Sequence, residues 1–162
     1  MIDNSYTQSA GVGKRMQYKK VADMLMEGLD CYMPLVDDHG VDCVIKREDG
    51  VFIEIQIKAR SKDVTDGDAA LFSAITHELA PNFYFVFYSE RLGKTWILSS
   101  EEFLQECVTN KSGKNVGKHS IWFNGNKKNK VTGIKEEYAF PKYDKYLVSD
   151  FSRFHAPSKN VI

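Results

Sequence analysis

Residues 37–60 contain two strand-like runs joined by a tight turn, and this segment constrains the fold more than any other. Every second residue is apolar from position 41 to 45 and again from position 51 to 59. Asp49 and Gly50 lie between the runs, and both residue types tolerate the positive φ of a hairpin turn. Because successive strand side chains point to opposite faces, the second run places four polar side chains on one face: Glu54, Gln56, Lys58 and Arg60.

This polar face has two interpretations. A half-buried antiparallel strand with one face in water produces the same alternation, and it is the plainer explanation. The other interpretation is a site at which the polar face meets a ligand or a metal. The period of the pattern cannot distinguish a cleft from bulk water.

Length and composition are those of a soluble globular protein. The chain has 162 residues with 43% hydrophobic and 27% charged residues, which predicts a single domain, residues 1–162, with a core large enough to need no staples. No apolar run reaches the roughly 18 residues of a membrane span. The first dozen residues resemble no secretion signal and are expected to form a loose arm, so a cytoplasmic location is expected. The three cysteines are widely spaced among apolar residues and are predicted to fill the core.

The zero net charge hides an asymmetry along the chain. Residues 1–108 carry 11 Lys and Arg against 18 Asp and Glu, whereas residues 109–135 carry seven lysines and no acid. We interpret the second range as a basic loop region with one strand at Ser120–Phe123 and a turn at Asn124–Asn126. A polyanion would bind there, although a solvated loop is an equally good interpretation. The candidate nucleic-acid contacts are Lys111, Lys114, Lys118, Trp122, Lys127, Lys128 and Lys130, with Phe123 as a further stacking residue.

The remaining patterns predict a mixed α/β fold. An amphipathic helix is expected at 13–29, a short strand at 31–36 ended by a turn at 37–40, a helix at 69–79, strands at 82–88 and 94–98, and a helix from Ser99 to about Val108. Aromatic residues in 136–162 indicate a terminal helix, followed by a frayed tail after Pro157. The expected architecture is a mixed central sheet flanked by helices, with a core at 13–108.

Three residues of the hairpin are candidates for chemistry on phosphate esters. An acid (Asp42), an amide (Gln56) and an ammonium group (Lys58) can converge near the strand ends. Mg²⁺ prefers oxygen ligands and retains several waters, so Asp42, Gln56 and a backbone carbonyl such as that of Ile57 can hold it. Phosphodiester cleavage also needs a nearby cation to stabilise developing negative charge, and Lys58 suits that role.

At these residues the chain resembles the PD-(D/E)xK nuclease superfamily, the restriction endonuclease-like fold that Holliday-junction resolvases also use. Asp42 matches the acid of that pattern, Gln56 its Glu or Gln position and Lys58 its lysine. The order of helix, hairpin, helix and hydrophobic strand across residues 13–100 also agrees. The resemblance implies catalytic roles for Asp42, Gln56 and Lys58 and a Mg²⁺ or Mn²⁺ ion on Asp42, Gln56 and Ile57. It places Gln17 where some members have a metal-facing glutamate.

Two further polar residues of the second strand have open roles. Glu54 can support the site or face solvent, and Arg60 can contact phosphate or mark the end of the strand. Amides at positions 17 and 56 remove negative charge from the expected metal site, which predicts weaker metal binding and one ion rather than two.

The sequence therefore favours a metal-dependent endonuclease acting on duplex or branched DNA, with no membrane partner. A homodimer is left open. The alternative is the same fold with hydrolysis weakened or lost, used to bind nucleic acid or a protein partner. An interaction or immunity protein of unrelated α/β fold is the third class.

Overall fold

The structure is a computed structural model that describes residues 5–36 and 39–157. Helix α1 (Ser5–Met26) precedes the first three strands, which are β1 (Asp30–Tyr32), β2 (Cys43–Lys46) and β3 (Phe52–Arg60). The middle of the chain forms β4 (Leu71–Ile75), β5 (Phe83–Ser89), β6 (Lys94–Ser99), α2 (Ser100–Glu106) and β7 (Val108–Thr109). The last part forms β8 (His119–Trp122), β9 (Asn124–Lys128), β10 (Lys135–Ala139) and β11 (Leu147–Val148), with 3₁₀ turns at Pro141–Tyr146 and Ser152–Phe154.

A six-stranded mixed sheet forms the centre of the fold, with strand order β1-β2-β3-β5-β6-β11. The pair β3 and β5 is parallel, and the other neighbours are antiparallel. The predicted hairpin is confirmed, because β2 and β3 pair in register from Cys43↔Ile55 to Lys46↔Phe52. The aromatic run at 83–88 lies in the middle of this sheet, as its continuous apolar character predicts. The expected mixed α/β architecture is therefore confirmed.

Each face of the central sheet covers its own core. On one face, Val21 and Met24 of α1 pack with the three buried isoleucines of β3 at positions 53, 55 and 57. On the other face, a three-stranded sheet of order β4-β8-β7 encloses an aromatic cluster that includes Phe72, Phe85 and Phe123. Of the cysteines, Cys43 is buried as predicted, and this burial raises its pKa to about 12, whereas Cys31 and Cys107 are only half-buried.

Helix α2 begins where it was predicted to begin, with Ser99 as its cap, and ends two residues before its predicted end at about Val108. Ser99 accepts a hydrogen bond from the backbone N–H of Glu102, and the Glu102 carboxylate accepts the N–H of Ser99 at 2.7 Å. This reciprocal capping satisfies two N–H groups that have no partner inside the helix.

The predicted helix at 69–79 is wrong, because this segment contains strand β4. Phe72 and Ile75 are both buried, and their three-residue spacing imitates a helical stripe. In the structure, the register against β8 shifts between them and Ala74 adopts a φ of +58°. The extra residue of this irregularity brings two side chains three positions apart to the same face of a strand.

The basic segment 109–135 is also more regular than predicted. It contains β8 and β9 and part of the pair β7–β8, and its predicted turn at Asn124–Asn126 is instead the beginning of β9. The buried Asn124 side chain accepts the N–H of Ala70 at 2.7 Å. Gly125 is required by packing, since a Cβ there would lie 2.9 Å from the Phe140 ring and the Tyr138 hydroxyl.

Both ends of the chain differ from their predictions. Helix α1 begins at Ser5, so residues 5–12 are not a loose arm, and the predicted strand at 31–36 is shortened to β1. The predicted terminal helix is replaced by β11 and two 3₁₀ turns. The aromatic residues Tyr143, Tyr146, Phe151 and Phe154 are buried, as expected. They belong to the two 3₁₀ turns or directly precede one, and not to an α-helix. The predicted turn at Asp37 and Asp38 and the predicted frayed end at 158–162 lie outside the described residues.

The structure of the basic segment predicts the effect of a core substitution within it. Phe123 is fully buried, with its ring stacked 4.7 Å from Trp96. Phe123→Ala should therefore lower the free energy of unfolding by about 3–5 kcal/mol in urea titrations. The exposed Val131→Ala serves as the control and should cost less than about 0.5 kcal/mol. Equal, small losses in both variants would mean that residue 123 lies in an irregular loop.

His77 predicts a dependence of stability on pH. Its ring is half-buried among Phe83, Phe85 and Phe103, with Nε2 2.7 Å from the Ser100 hydroxyl. Burial lowers the pKa of His77, nearby His119 lowers it further, and Glu78 raises it. The folded state thus favours neutral His77. Its contribution to the free energy of unfolding is complete above the pKa of the unfolded chain, about 6.5, and is lost as the pH falls through the lower pKa of the folded state.

His77→Gln retains a side chain that can hydrogen-bond but removes the titration. The free energy of unfolding, measured by urea titration at several pH values, should fall less steeply between about pH 7 and 5 in this variant than in the wild type. An unchanged pH dependence would show that other groups carry it.

Candidate active site

Asp42 closes the gap where β2 and β3 separate. Its N–H donates to the carbonyl of Ile55 at 2.8 Å, and its carboxylate oxygen Oδ2 accepts the N–H of Ile57 at 2.6 Å. The ladder of β2 stops at the Cys43↔Ile55 pair, so the next N–H of β3 on this side needs another partner. The Asp42 side chain supplies it. The N–H and C=O of a strand residue point to the same side, so the Ile57 carbonyl also faces the side on which Asp42 lies.

Gln17 of α1 contacts the same carboxylate. Its amide nitrogen donates to Asp42 Oδ1 at 2.7 Å, and the residue is only 7% exposed. The structure therefore brings together Gln17 and Asp42, which are 25 residues apart in the sequence. An amide that donates to a carboxylate holds it in place without added charge. A glutamate at this position would instead place two carboxylates side by side.

Gln56 packs against the turn that precedes Asp42. Gly40 has a φ of +68°, and a Cβ there would lie 2.5 Å from the Gln56 amide nitrogen. The positive φ favours glycine at this position, and the Gln56 amide would have to move if a Cβ were present. This contact places the half-buried Gln56 side chain beside the segment that leads into Asp42.

Lys58 lines a cavity of about 750 Å³ at the C-terminal end of β3. Its walls are formed by the stretch of α1 around Gly13, the end of β3, the loop that follows β3 and strand β4. Arg15 of α1 and Arg60 of β3 line it together with Lys58. These three cationic side chains outnumber the one carboxylate in the lining, that of Asp63, and Phe72 and Ile75 supply apolar walls. A cavity of this composition is suited to an anionic ligand with apolar parts.

Arg60 is also part of the framework of this cavity. Its guanidinium donates to the carbonyl of Asp66 in the loop after β3. Burial lowers the pKa of Arg60, and the like charge of Arg91 lowers it further. Arg91 in turn donates to the carbonyl of Gly67 at 3.0 Å, so the two arginines hold the 61–68 loop against the sheet.

Glu54 lies in different surroundings from Gln56 and Lys58. It is exposed, and it lines another groove together with His39 and Glu78. Its place one step earlier on β3 therefore does not bring it to the wall of the Lys58 cavity.

The metal-ligand set expected from the sequence has one carboxylate. Among residues 5–36 and 39–157, no group of three or more His, Cys, Asp and Glu side chains could hold a metal ion. Asp42 contacts β3 at Ile57, and Gln56 is the preceding residue of that strand, so these residues offer one carboxylate, one amide oxygen and one backbone carbonyl. This set fits a hard divalent cation that retains several waters, but not a multinuclear centre.

The predicted basic contacts fall into two separate groups. Lys111, Lys114 and Lys118 belong to the connection between β7 and β8, whereas Lys127, Lys128 and Lys130 belong to the β9–β10 hairpin. Trp122 is half-buried opposite Leu71 in the β4–β8 pair. Phe123 is fully buried, so its expected role as a stacking residue is wrong. Acidic neighbours also reduce the charge, since Lys135 pairs with Asp68 at 3.7 Å.

Two contributors to this region were missed by the sequence analysis. Gly40 falls in the predicted turn at 37–40, but its close approach to Gln56 was not predicted. The wall supplied by Gly13 and Arg15 has no sequence signal, since helix periodicity does not show which strand end a helix crosses.

Within the described residues, no helix is long and apolar enough to cross a membrane.

Comparison with known proteins supports the fold. No protein-family model matches this chain, and no curated protein matches it significantly. A bacterial homing endonuclease of known structure, I-Ssp6803I, is similar with a TM-score of 0.52 and 16% sequence identity, over 83% of this chain and 85% of that chain. The chain is therefore similar in fold to a homing endonuclease, with a central mixed sheet and few helices.

Proposed function

We propose that this protein is a metal-dependent endonuclease that hydrolyses DNA phosphodiester bonds with a site of the PD-(D/E)xK type. The contact of the Asp42 carboxylate with the Ile57 N–H, between Gln56 and Lys58 of β3, is the observation that carries the proposal. It brings the acid of the sequence pattern to the strand that carries the other two residues, at the residue that lies between them in the sequence. The likeness in fold to a bacterial homing endonuclease supports the same class of activity.

In this proposal, Asp42, Gln56 and the Ile57 carbonyl hold one Mg²⁺ or Mn²⁺ ion. When bound, the ion supplies charge neutralisation at the phosphate and acidifies a water. Lys58 stabilises the negative charge that develops on the phosphate oxygens during cleavage, and it lines the cavity that would receive that phosphate. Gln17 positions the Asp42 carboxylate, and Arg15 and Arg60 add positive potential at the cavity wall.

The second candidate function is the same fold with hydrolysis weakened or lost, used to bind nucleic acid or a protein partner. The Gln17–Asp42 hydrogen bond favours it, because it satisfies the only carboxylate of the proposed ligand set without a cation. One acid and two amides attract a divalent cation less strongly than several acids would. Cleavage assays separate the two functions.

Substitution of Lys58 tests the catalytic role. Lys58→Ala should lower the rate of plasmid nicking in Mg²⁺ or Mn²⁺ by about 100-fold or more, because a group that acts on developing charge is lost. The Kd for DNA, measured by fluorescence anisotropy, should change by less than about threefold, since Lys58 acts on the transition state rather than on bound DNA.

Lys62→Ala is the matched control, because Lys62 is an exposed lysine of the adjoining loop and is not among the residues that line the cavity. It should retain the wild-type nicking rate. Equal rates in the wild type and Lys58→Ala would contradict the assignment of Lys58. DNA binding without nicking in the wild type would favour the second candidate function.

Substitution of Gln17 tests the metal site without an activity assay. Gln17→Glu places a second carboxylate against Asp42, so without divalent cation it should lower the free energy of unfolding by about 2 kcal/mol through loss of a hydrogen bond to a charged group. Adding Mn²⁺ should restore stability, because the cation binds the folded state. The midpoint of thermal unfolding, recorded with and without Mn²⁺, measures both effects.

Gln105→Glu is the control, since Gln105 donates to Glu101 at 3.4 Å in an exposed amide–carboxylate pair. It should show no gain in Mn²⁺ response over the wild type. If Gln17→Glu also responds to Mn²⁺ no more than the wild type does, then Asp42 is not part of a metal site.

A further inference from the structure

The β9–β10 hairpin is a two-stranded ribbon with one attached face and one open face. Its register pairs Asn126 with Glu137 and Lys127 with Glu136. Asn126 and Glu137 face the body of the protein, where Asn126 donates to Asp68 and Glu137 pairs with Arg91 at 3.0 Å. Residues that alternate with these lie on the opposite face, which therefore carries Lys127, Glu136 and Tyr138 outward.

The attachment places the ribbon at the same end of the central sheet as the Lys58 cavity. Asp68 and Gly67 belong to the loop that follows β3, and Arg60 of the cavity wall donates to the carbonyl of Asp66 in that loop. Arg91 contacts both this loop and the ribbon. One network of polar contacts thus connects the base of the hairpin to the cavity wall.

The tip of the hairpin, residues 129–134, has a defined conformation and displays apolar side chains to solvent. The Asn129 side chain accepts the N–H groups of Val131 and Thr132 at 2.9 and 3.0 Å. The Asn129 amide donates to Glu136 at 2.9 Å, and its backbone N–H donates to Ile134 at 2.8 Å. Val131 is nevertheless 95% exposed and Ile134 63% exposed.

The charge of the projecting part favours a polyanion as its partner. Lys127, Lys128 and Lys130 are exposed, and Glu136 is the acid on the outward face. The other acid of the ribbon, Glu137, is neutralised by Arg91. Lys127 also lies over the Tyr138 ring, with Nζ 5.1 Å from the centroid, which holds its ammonium group on the open face.

We propose that this hairpin enters the major groove of duplex DNA and contacts base edges next to the phosphate bound at the Lys58 cavity. The inference rests on the proposed function and adds the way in which the substrate is read. The major groove is about 12 Å wide and admits a two-stranded ribbon, whereas the minor groove is about 6 Å wide and does not. Strands of five residues extend about 16 Å, which exceeds the groove depth of about 8.5 Å.

The chemistry of the tip matches base edges in this groove. The lysine ammonium groups can donate to the guanine O6 and N7 acceptors, and the Val131 side chain can contact the thymine methyl group. Because the tip is held by its own hydrogen bonds, little conformational entropy is lost when it enters the groove.

The test compares short duplexes of one sequence with open and obstructed major grooves. In the obstructed duplex, glucosylated 5-hydroxymethylcytosine replaces cytosine, which fills the major groove and leaves the backbone charge unchanged. Wild-type affinity, measured by anisotropy without divalent cation, should be about tenfold or more weaker on this duplex, a factor typical of one lost base contact. Filling the minor groove with distamycin should leave the affinity unchanged.

Two variants assign the effect to the hairpin. One replaces residues 129–134 by Asn-Gly, a type I′ turn that joins the Lys128↔Lys135 pair and keeps the ribbon. The other is Val131→Ser, with Val116→Ser, an exposed valine of the β7–β8 connection, as its control. The shortened hairpin should bind both duplexes equally, and Val131→Ser should lose part of the discrimination that Val116→Ser retains.

The outcomes separate this inference from the proposed function. Equal wild-type affinity for the two duplexes would overturn groove entry and leave the nuclease proposal intact. Full discrimination by the shortened hairpin would likewise overturn the role of the tip. Failure of the wild type to bind either duplex would remove the proposed function together with the inference.

Discussion

The parallel pairing of β3 with β5 is the constraint on which the rest of the structure depends. It runs from Glu54↔Phe83 to Arg60↔Ser89, so β3 lies inside the sheet with β2 on its other side. A parallel neighbour cannot be reached by a tight turn. The chain must therefore cross over the sheet, and here the crossover contains β4, which pairs with β8 and covers the aromatic core.

This position of β3 explains the arrangement of its side chains. The isoleucines at 53, 55 and 57 are buried against α1. The alternate residues lie on the face that carries Phe85 and Phe87 of β5, which are also buried. Gln56 and Lys58 are therefore polar residues at the margin of an apolar layer, and neither is fully exposed. Polar groups in such surroundings need partners. They can be accommodated at the open end of the sheet, where the cavity and the gap beside β2 lie.

The separation of β2 and β3 is the second decisive feature. A backbone N–H at the end of a strand ladder requires an acceptor, and Asp42 provides one to Ile57. The same contact that completes the backbone hydrogen bonding thus holds a carboxylate against β3 at Ile57, the residue between Gln56 and Lys58 in the sequence. Gln17 fixes the other carboxylate oxygen. Structure and proposed chemistry consequently use the same group, and a loss of Asp42 would affect both.

Sequence alone determined the features that depend on local pattern. The β2–β3 hairpin, the buried strand β5, the capped helix α2 and the identity of Asp42, Gln56 and Lys58 as candidates follow from alternation, turn residues and side-chain chemistry. Tertiary structure decided the features in which two local patterns are equivalent or in which distant segments meet. The Phe72–Ile75 spacing fits a helix and an irregular strand equally, and only pairing with β8 selects the strand. Likewise, no local pattern brings Gln17 to Asp42 or the β9–β10 hairpin to Asp68, because those contacts exist only after the sheet has been assembled.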